Sequence, residues 1–249
     1  MIPKRIWENG VCWEIYGNMS TRIKILPEKK SYRTTMKVLE IFAGTGSVKK
    51  VCDSLGWECI SVDISDQFHE VDYKVDILEW DYKQLDKDFD IIWASPPCAT
   101  FSKLTSSWYG RKMKSINMEI FTKEHEAKRE KEIGLVLLNK AKEIINYFDP
   151  KYYFIENPQS GRMKNYMTEY PHYDIDYCMF SDFGYRKRTR IWTNVTGFEA
   201  LLCNKKCGNM IGNKHKHQIG CGGQTISLSL KDRYRVPQRL IEELLLCCL

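Results

Sequence analysis

The sequence predicts an α/β fold: a mostly parallel, doubly wound sheet with helices on both faces. Three observations carry that prediction. Short apolar runs rich in Val, Ile and aromatic residues alternate with stretches of helical spacing. The first run ends in a glycine-bearing turn, FAGTGS (42–47), of the kind that joins a buried strand to a helix. The residues with evident chemistry stand directly after the apolar runs, at the carboxyl ends of strands where such sheets bind ligands.

Taken in order, residues 1–35 read as an irregular, polar N-terminal extension with isolated Trp7 and Trp13. KVLEIF (37–42) reads as a buried strand and SVKKVCDSLGW (47–57) as an amphipathic helix. ECISVDI (58–64), YKVDIL (73–78) and FDIIWA (89–94) supply three more strands. The charged segment 117–148 follows, with helical spacing in EIGLVLLNKAKEIINYF. YYFIEN (152–157) is a fifth strand, and YDIDYCMF and RIWTNV are two more. RYRVPQRLIEELL reads as a closing helix. The expected divisions are an extension (1–35), a catalytic domain (36–195), a short recognition segment (196–232) and a returning C-terminal helix (233–249).

The chain has 249 residues, 43% of them hydrophobic, enough for one large core. No apolar run approaches the roughly 18 residues that span a membrane, and no export signal is read at the N-terminus. Ten cysteines in this length are sparse beside small secreted scaffolds, so they read as reduced thiols in cytoplasm or nucleus. Cys12, Cys52, Cys59, Cys178, Cys247 and Cys248 are expected to act as small buried hydrophobes. Net charge is +6, but residues 186–239 hold twelve Lys or Arg against Glu199 and Asp232, a local +10. That asymmetry suits a polyanionic partner better than a small neutral metabolite.

In the turn, Gly44 and Gly46 permit close approach of a ligand to the backbone. Asp63 ends the next strand nineteen residues after Gly44, where an acid can accept from ribose hydroxyls. Asp76, ending the third, is placed to meet an adenine edge. The third glycine of a dinucleotide fingerprint is absent, so S-adenosylmethionine fits these strand ends better than NAD. The fourth strand runs into SPPC (95–98), where two prolines end the ladder and present Cys98 at the first free position.

FAGTGS, the acid in SVDIS, VDI, SPPC, FIENP and YRKRTRIW stand in the order of the cytosine-C5 DNA methyltransferase family, which the chain resembles. The likeness spans residues 37–192 and reaches more loosely to 240. The compact size, ENP in place of ENV, and RYRVP are similar to the small versions carried by large DNA viruses and phages. The resemblance implies a Rossmann-like class I methyltransferase fold, with S-adenosylmethionine held by Phe42, Gly44, Thr45, Gly46, Asp63, Ile64, Asp76, Ile77 and Pro97. It implies double-stranded DNA as partner, its target cytosine flipped out of the stack.

The chemistry explains why such residues are needed. C5 of cytosine is a poor nucleophile until a thiolate bonds to C6, the role the resemblance assigns to Cys98. Charge pushed onto the ring requires a proton at N3, which Glu156 supplies if burial lets it hold one. Asn157 and Pro158 are expected to fix the turn that aims it. Arg188 and Arg190 are expected to contact the cytosine O2 and nearby phosphates. Arg186 stands where the family has glutamine, and Thr100 and Ser102 are placed to touch a phosphate.

Between RIW and RYRVP lie about forty residues, too few for the family's usual recognition domain, so sequence readout is expected to be limited. Cys203, Cys207, His215, His217 and Cys221 lie there, and four of them, Cys203, Cys207, His217 and Cys221, are expected to bind structural zinc. A tRNA cytosine-C5 methyltransferase and a non-catalytic nucleic-acid-binding module with the same fold are the alternatives. An amino-methylating enzyme would have an aromatic residue at position 98.

Overall fold

The computed structural model describes residues 35–217 and 228–249 throughout and, before them, the backbone of three strands. These are β1 (Lys4–Glu8), β2 (Val11–Ile15) and β3 (Arg22–Ile25), an antiparallel sheet in the order β1-β2-β3 within a separate unit, Met1–Thr34. The expected irregular extension is therefore corrected to a small sheet. Its register pairs Glu8 with Val11. The sequence between them is Asn-Gly, a strong two-residue hairpin signal.

The unit Thr35–Leu249 holds a seven-stranded sheet. Its first elements are β4 (Lys37–Ile41), α1 (Ser47–Leu55), β5 (Glu58–Asp63), β6 (Tyr73–Lys74) and β7 (Ile91–Ala94). A two-stranded ribbon, β8 (Lys112–Met113) and β9 (Glu119–Ile120), precedes α2 (Lys123–Arg129), a π-helical turn (Glu130–Gly134) and α3 (Leu135–Phe148). Then come β10 (Tyr152–Pro158), β11 (His172–Asp176) and β12 (Arg188–Thr193). A hairpin of β13 (Met210–Ile211) and β14 (Lys214–His215) leads to α4 (Leu230–Tyr234) and α5 (Gln238–Leu246).

The sheet order is β11-β12-β10-β7-β4-β5-β6. The five strands from β10 to β6 run parallel, and β12 and β11 close one side antiparallel. Strand parity explains why helices cover both faces. Val38, Ile91, Trp93 and Phe154 pack with Val48, Val51 and Cys52 of α1 and with Leu240, Ile241, Leu244 and Leu245 of α5. The neighbours one residue on, Leu39, Ile92, Ala94 and Ile155, pack with Leu138, Ala141, Ile144 and Phe148 of α3. Both strand faces are buried, so the strands read as continuous apolar runs.

Helix α1 stops at Gly56, whose left-handed φ of 70° lets its N–H reach the last carbonyls. The closing helix starts at Gln238 and not Arg233, because Pro237 pushes Val236 out of helical space and separates α4 from α5. Strand β6 is only two residues of the expected six. Among the described residues, no helix is long and apolar enough to cross a membrane.

Candidate active site

Parallel register sets four strand ends side by side: Ile41 pairs with Ala94 and Val62, and Ala94 with Ile155. The turns that follow enclose a cavity of about 580 Å³, within the range of small-ligand sites. Its lining includes Phe42, Gly44, Thr45, Asp63, Ile64, Asp76, Ile77, Pro97, Cys98 and Glu156. Nine residues expected from separate stretches of sequence thus share one wall with Glu156.

The first turn is locally strained. Phe42 has φ 58°, rare for an aromatic residue, and Gly44 and Gly46 have φ 52° and 62°. The Gly44 N–H donates to Asp63 Oδ2 at 2.9 Å, while Asp63 Oδ1 accepts from Ser65 N. One carboxylate therefore ties two turns together. Asp76 Oδ1 likewise accepts from Leu78 N at 2.9 Å. Ile64, 66% exposed, and Leu78, 44% exposed, leave apolar surface open to the cavity between these acids. Behind the turn, buried Glu40 accepts from Val48 N at 3.2 Å and Lys49 N at 3.0 Å. Burial pushes its carboxyl up to about 7 against those two hydrogen bonds.

Cys98 opens a 3₁₀ turn, Cys98–Thr100, just past β7. Ser95 N donates to Ile41 O, and Asn157 Nδ2 donates to Pro96 O at 2.8 Å, so both neighbouring strands hold the proline loop. Asn157 is buried, and it fixes the turn that carries Cys98. Glu156, also buried, accepts from Tyr177 Oη at 3.0 Å and lies 3.5 Å from Lys187 Nζ. The ammonium sits 4.8 Å above the Tyr177 ring. Burial pushes the Cys98 thiol up, Lys187 opposes that most strongly, and Glu156 reinforces it.

The structure does not bring Arg188 or Arg190 into the cavity wall. Arg188 makes a two-pronged pair with buried Asp176 (3.0 and 2.7 Å), and Arg190 does so with Asp174 (2.6 and 2.8 Å). The register is Asp176 opposite Arg188 and Asp174 opposite Arg190, so these cross-strand pairs share one face of β11–β12. In an alternating RKRTR stretch, parity sends Lys187 the other way, towards Glu156. Lys187, not an arginine, is the basic group of the cavity wall that β12's approach supplies. Gly46 is also outside the lining: it caps α1, and a Cβ there would meet the His69 ring at 2.2 Å. Thr100 Oγ1 donates within its own turn to Pro97 O, and Ser102 caps the next 3₁₀ helix.

Sequence reasoning passed over Lys187, Tyr177 and Glu40, and also Leu230, Tyr234 and Val236, which return from the C-terminal region to line the same cavity. Val236 N donates to Ser47 Oγ at 3.2 Å across 189 residues of sequence. Only the internal acid of KVLEIF offered a signal, a carboxylate in an otherwise apolar strand.

The Cys/His donors group differently from expectation. Cys178, Cys203, Cys207 and His215 place one donor atom each within 4.8 Å of one another. Cys178 is buried as expected, with its thiol beside the other three donors. His217 is not in the group: it packs on Gly184, and its N–H donates to Gly184 O at 2.7 Å. Cys221 lies outside the described residues. Cys52, Cys59 and Cys248 are buried as expected, Cys247 only partly, and the side chain of Cys12 lies outside the described residues.

Comparison with known proteins returns one family model, C-5 cytosine-specific DNA methylase, matched by residues 36–193. A curated protein of Frog virus 3 (isolate Goorha), a probable DNA (cytosine-5)-methyltransferase, is 46% identical over 228 residues, covering 86% of this chain and all of that one. Among solved structures, the Entamoeba histolytica methyltransferase EhMeth is similar at 17% identity and a TM-score of 0.41, over 69% of this chain and 56% of that one. The S. pombe Dnmt2 methyltransferase is similar at 14% identity and a TM-score of 0.35, over 67% and 52%. The chain spans little more than half the length of those two structures.

Proposed function

This chain belongs to the C-5 cytosine-specific DNA methylase family, and we propose that it methylates C5 of cytosine in double-stranded DNA through a covalent bond between Cys98 and C6. The observation that carries this reading is the shared wall: Cys98 and Glu156 face one cavity with the glycine turn and the Asp63 and Asp76 strand ends.

The cavity suits S-adenosylmethionine. Two strand-end carboxylates lie near exposed Ile64, and the open backbone at Gly44 admits close approach. Bound there, S-adenosylmethionine supplies an electrophilic methyl group. The chain's own residues do the rest. Asp63, Asp76, Phe42, Thr45, Ile77 and Pro97 orient the cofactor. Cys98, as thiolate, adds to C6 of a cytosine flipped from the duplex, breaking the ring's aromaticity. Lys187 stabilises the thiolate, and Glu156, entering this step as the carboxylic acid, gives its proton to N3 as negative charge develops there, leaving a carboxylate beside Lys187. Once C5 carries the methyl group, N3 returns its proton to Glu156, C5 loses its proton to solvent, and the sulfur leaves as thiolate, restoring the ring. Arg188 and Arg190 act from their Asp176 and Asp174 pairs by fixing the strand beside the site and offering partly exposed guanidinium edges to phosphate. The local +10 of residues 186–239 supplies the sequence-independent attraction to the duplex.

Incubation with a 5-fluorocytosine duplex and S-adenosylmethionine tests this. A trapped covalent complex is expected with the native chain and none with Cys98→Ser. No trapped complex on DNA overturns the reading, and trapping on tRNA alone would assign the substrate to RNA.

A further inference from the structure

We propose that Cys178, Cys203, Cys207 and His215 form a structural zinc site that fastens the recognition segment to the catalytic sheet. Zinc held by thiolates at about 2.3 Å and imidazole nitrogen at about 2.0–2.1 Å defines a tetrahedron. Its edges are about 3.8 Å between sulfurs and about 3.5 Å from sulfur to nitrogen. The structure has 3.6 Å between the Sγ atoms of Cys203 and Cys207. His215 Nε2 is 3.5 Å from Cys203 Sγ and 3.3 Å from Cys207 Sγ. A disulfide would need the sulfurs near 2.05 Å, well inside that separation.

The surroundings are those of a thiolate centre. Lys205 N donates to Cys203 Sγ at 3.3 Å, a hydrogen bond that stabilises sulfur charge. The backbone of Cys203 donates to Asp176 Oδ2 at 2.8 Å, and the same oxygen accepts from Arg188 Nη2 at 2.7 Å. One shared carboxylate thus couples the site to the basic strand.

The segment also has little strand pairing of its own. The hairpin β13–β14 has only two paired positions, Met210 with His215 and Ile211 with Lys214, and Ile211 is exposed. A ribbon so short does not hold itself together in water. Cys178 comes from the buried turn Tyr177–Met179, directly after β11, so the fourth ligand belongs to the sheet and not to the segment. A metal there would add a covalent-strength link to the hydrogen bonds that already join the two pieces, among them Asn209 Nδ2 to Cys178 O at 3.0 Å and Gly184 N to Asn209 Oδ1 at 2.9 Å.

Purified protein, prepared without chelator, is assayed for zinc by atomic emission. About one zinc per chain is expected, and Cys178→Ser should lower retention about tenfold or more under a fixed chelator challenge. Cys221→Ser should leave it unchanged, and His215→Cys should keep the metal. Cobalt substituted into the native chain should give an intense tetrahedral spectrum with sulfur-to-metal bands, which stands even if Cys178→Ser fails to fold. Metal-free chains, whether with reduced thiols or a Cys203–Cys207 disulfide, overturn the proposal. So does an octahedral cobalt spectrum, or loss of zinc in Cys221→Ser with retention in Cys178→Ser.

Discussion

Replacing Glu40 with Gln should change how stability depends on pH. Glu40 lies beneath the glycine turn, buried, with the N–H groups of Val48 and Lys49 as its partners. Its carboxyl is raised from the ordinary 4.5 to about 7, chiefly by burial. The folded state therefore binds this proton more tightly than the unfolded state does. The associated stability is complete below about 4.5 and is lost as pH rises through about 7. The gap corresponds to roughly 3 kcal/mol in total at about 1.4 kcal/mol per unit, most of which falls between pH 5 and pH 8. Gln does not titrate, so its stability relative to the native chain should improve by that amount across the interval. Urea unfolding of both proteins at the two pH values, with matched salt, reads this directly. A difference that stays constant with pH would refute a raised Glu40, and with it the claim that desolvation outweighs the helix N-terminal hydrogen bonds.

Lys187→Met removes the charge that most opposes the raised Cys98 thiol, so the pH profile of Cys98 alkylation should move further up. Turnover at neutral pH should fall about tenfold or more; an unmoved profile removes Lys187 from the site. Gly46→Ala forces an L residue to φ 62° and drives a methyl to 2.2 Å from the His69 ring. It should lower the melting temperature by several degrees, from about 1–2 kcal/mol of backbone strain alone, and weaken cofactor binding. An unchanged melting temperature contradicts that. Asp176→Asn breaks a two-pronged pair between a buried carboxylate and a partly exposed Arg188 and should destabilise by about 1–2 kcal/mol, read as a lower denaturant midpoint at unchanged slope.

Much of the fold is written locally. The apolar runs that become β4, β5, β7 and β10 were legible because strands buried on both faces are mostly apolar at consecutive positions, with Glu40, Ser61, Glu156 and Asn157 as buried polar exceptions. The spacing of Val48, Val51 and Cys52, and of Leu138, Ala141 and Ile145, marks α1 and α3 for the same reason. The N-terminal sheet went unread although Asn-Gly stood between two alternating stretches. Strand β6 was over-read, because apolar residues after Lys74 pack as a turn.

For the site, sequence by itself determined which residues close the strands: FAGTGS, Asp63, Asp76, SPPC and Glu156. Each stands in the last residues of a strand or begins within two residues of its end, and parallel pairing with a common register brings such positions together whatever the loops do. Tertiary structure alone decided the partners. Lys187 rather than Arg188 meets Glu156 because the register of β12 against β11 commits the arginines to Asp174 and Asp176. Among the described residues, His215 rather than His217 joins Cys203 and Cys207, with Cys178, because the end of β11 packs beside the hairpin. A linear pattern carries turn chemistry and strand parity, whereas the choice among equivalent arginines, histidines or thiols rests on contacts between residues far apart along the chain.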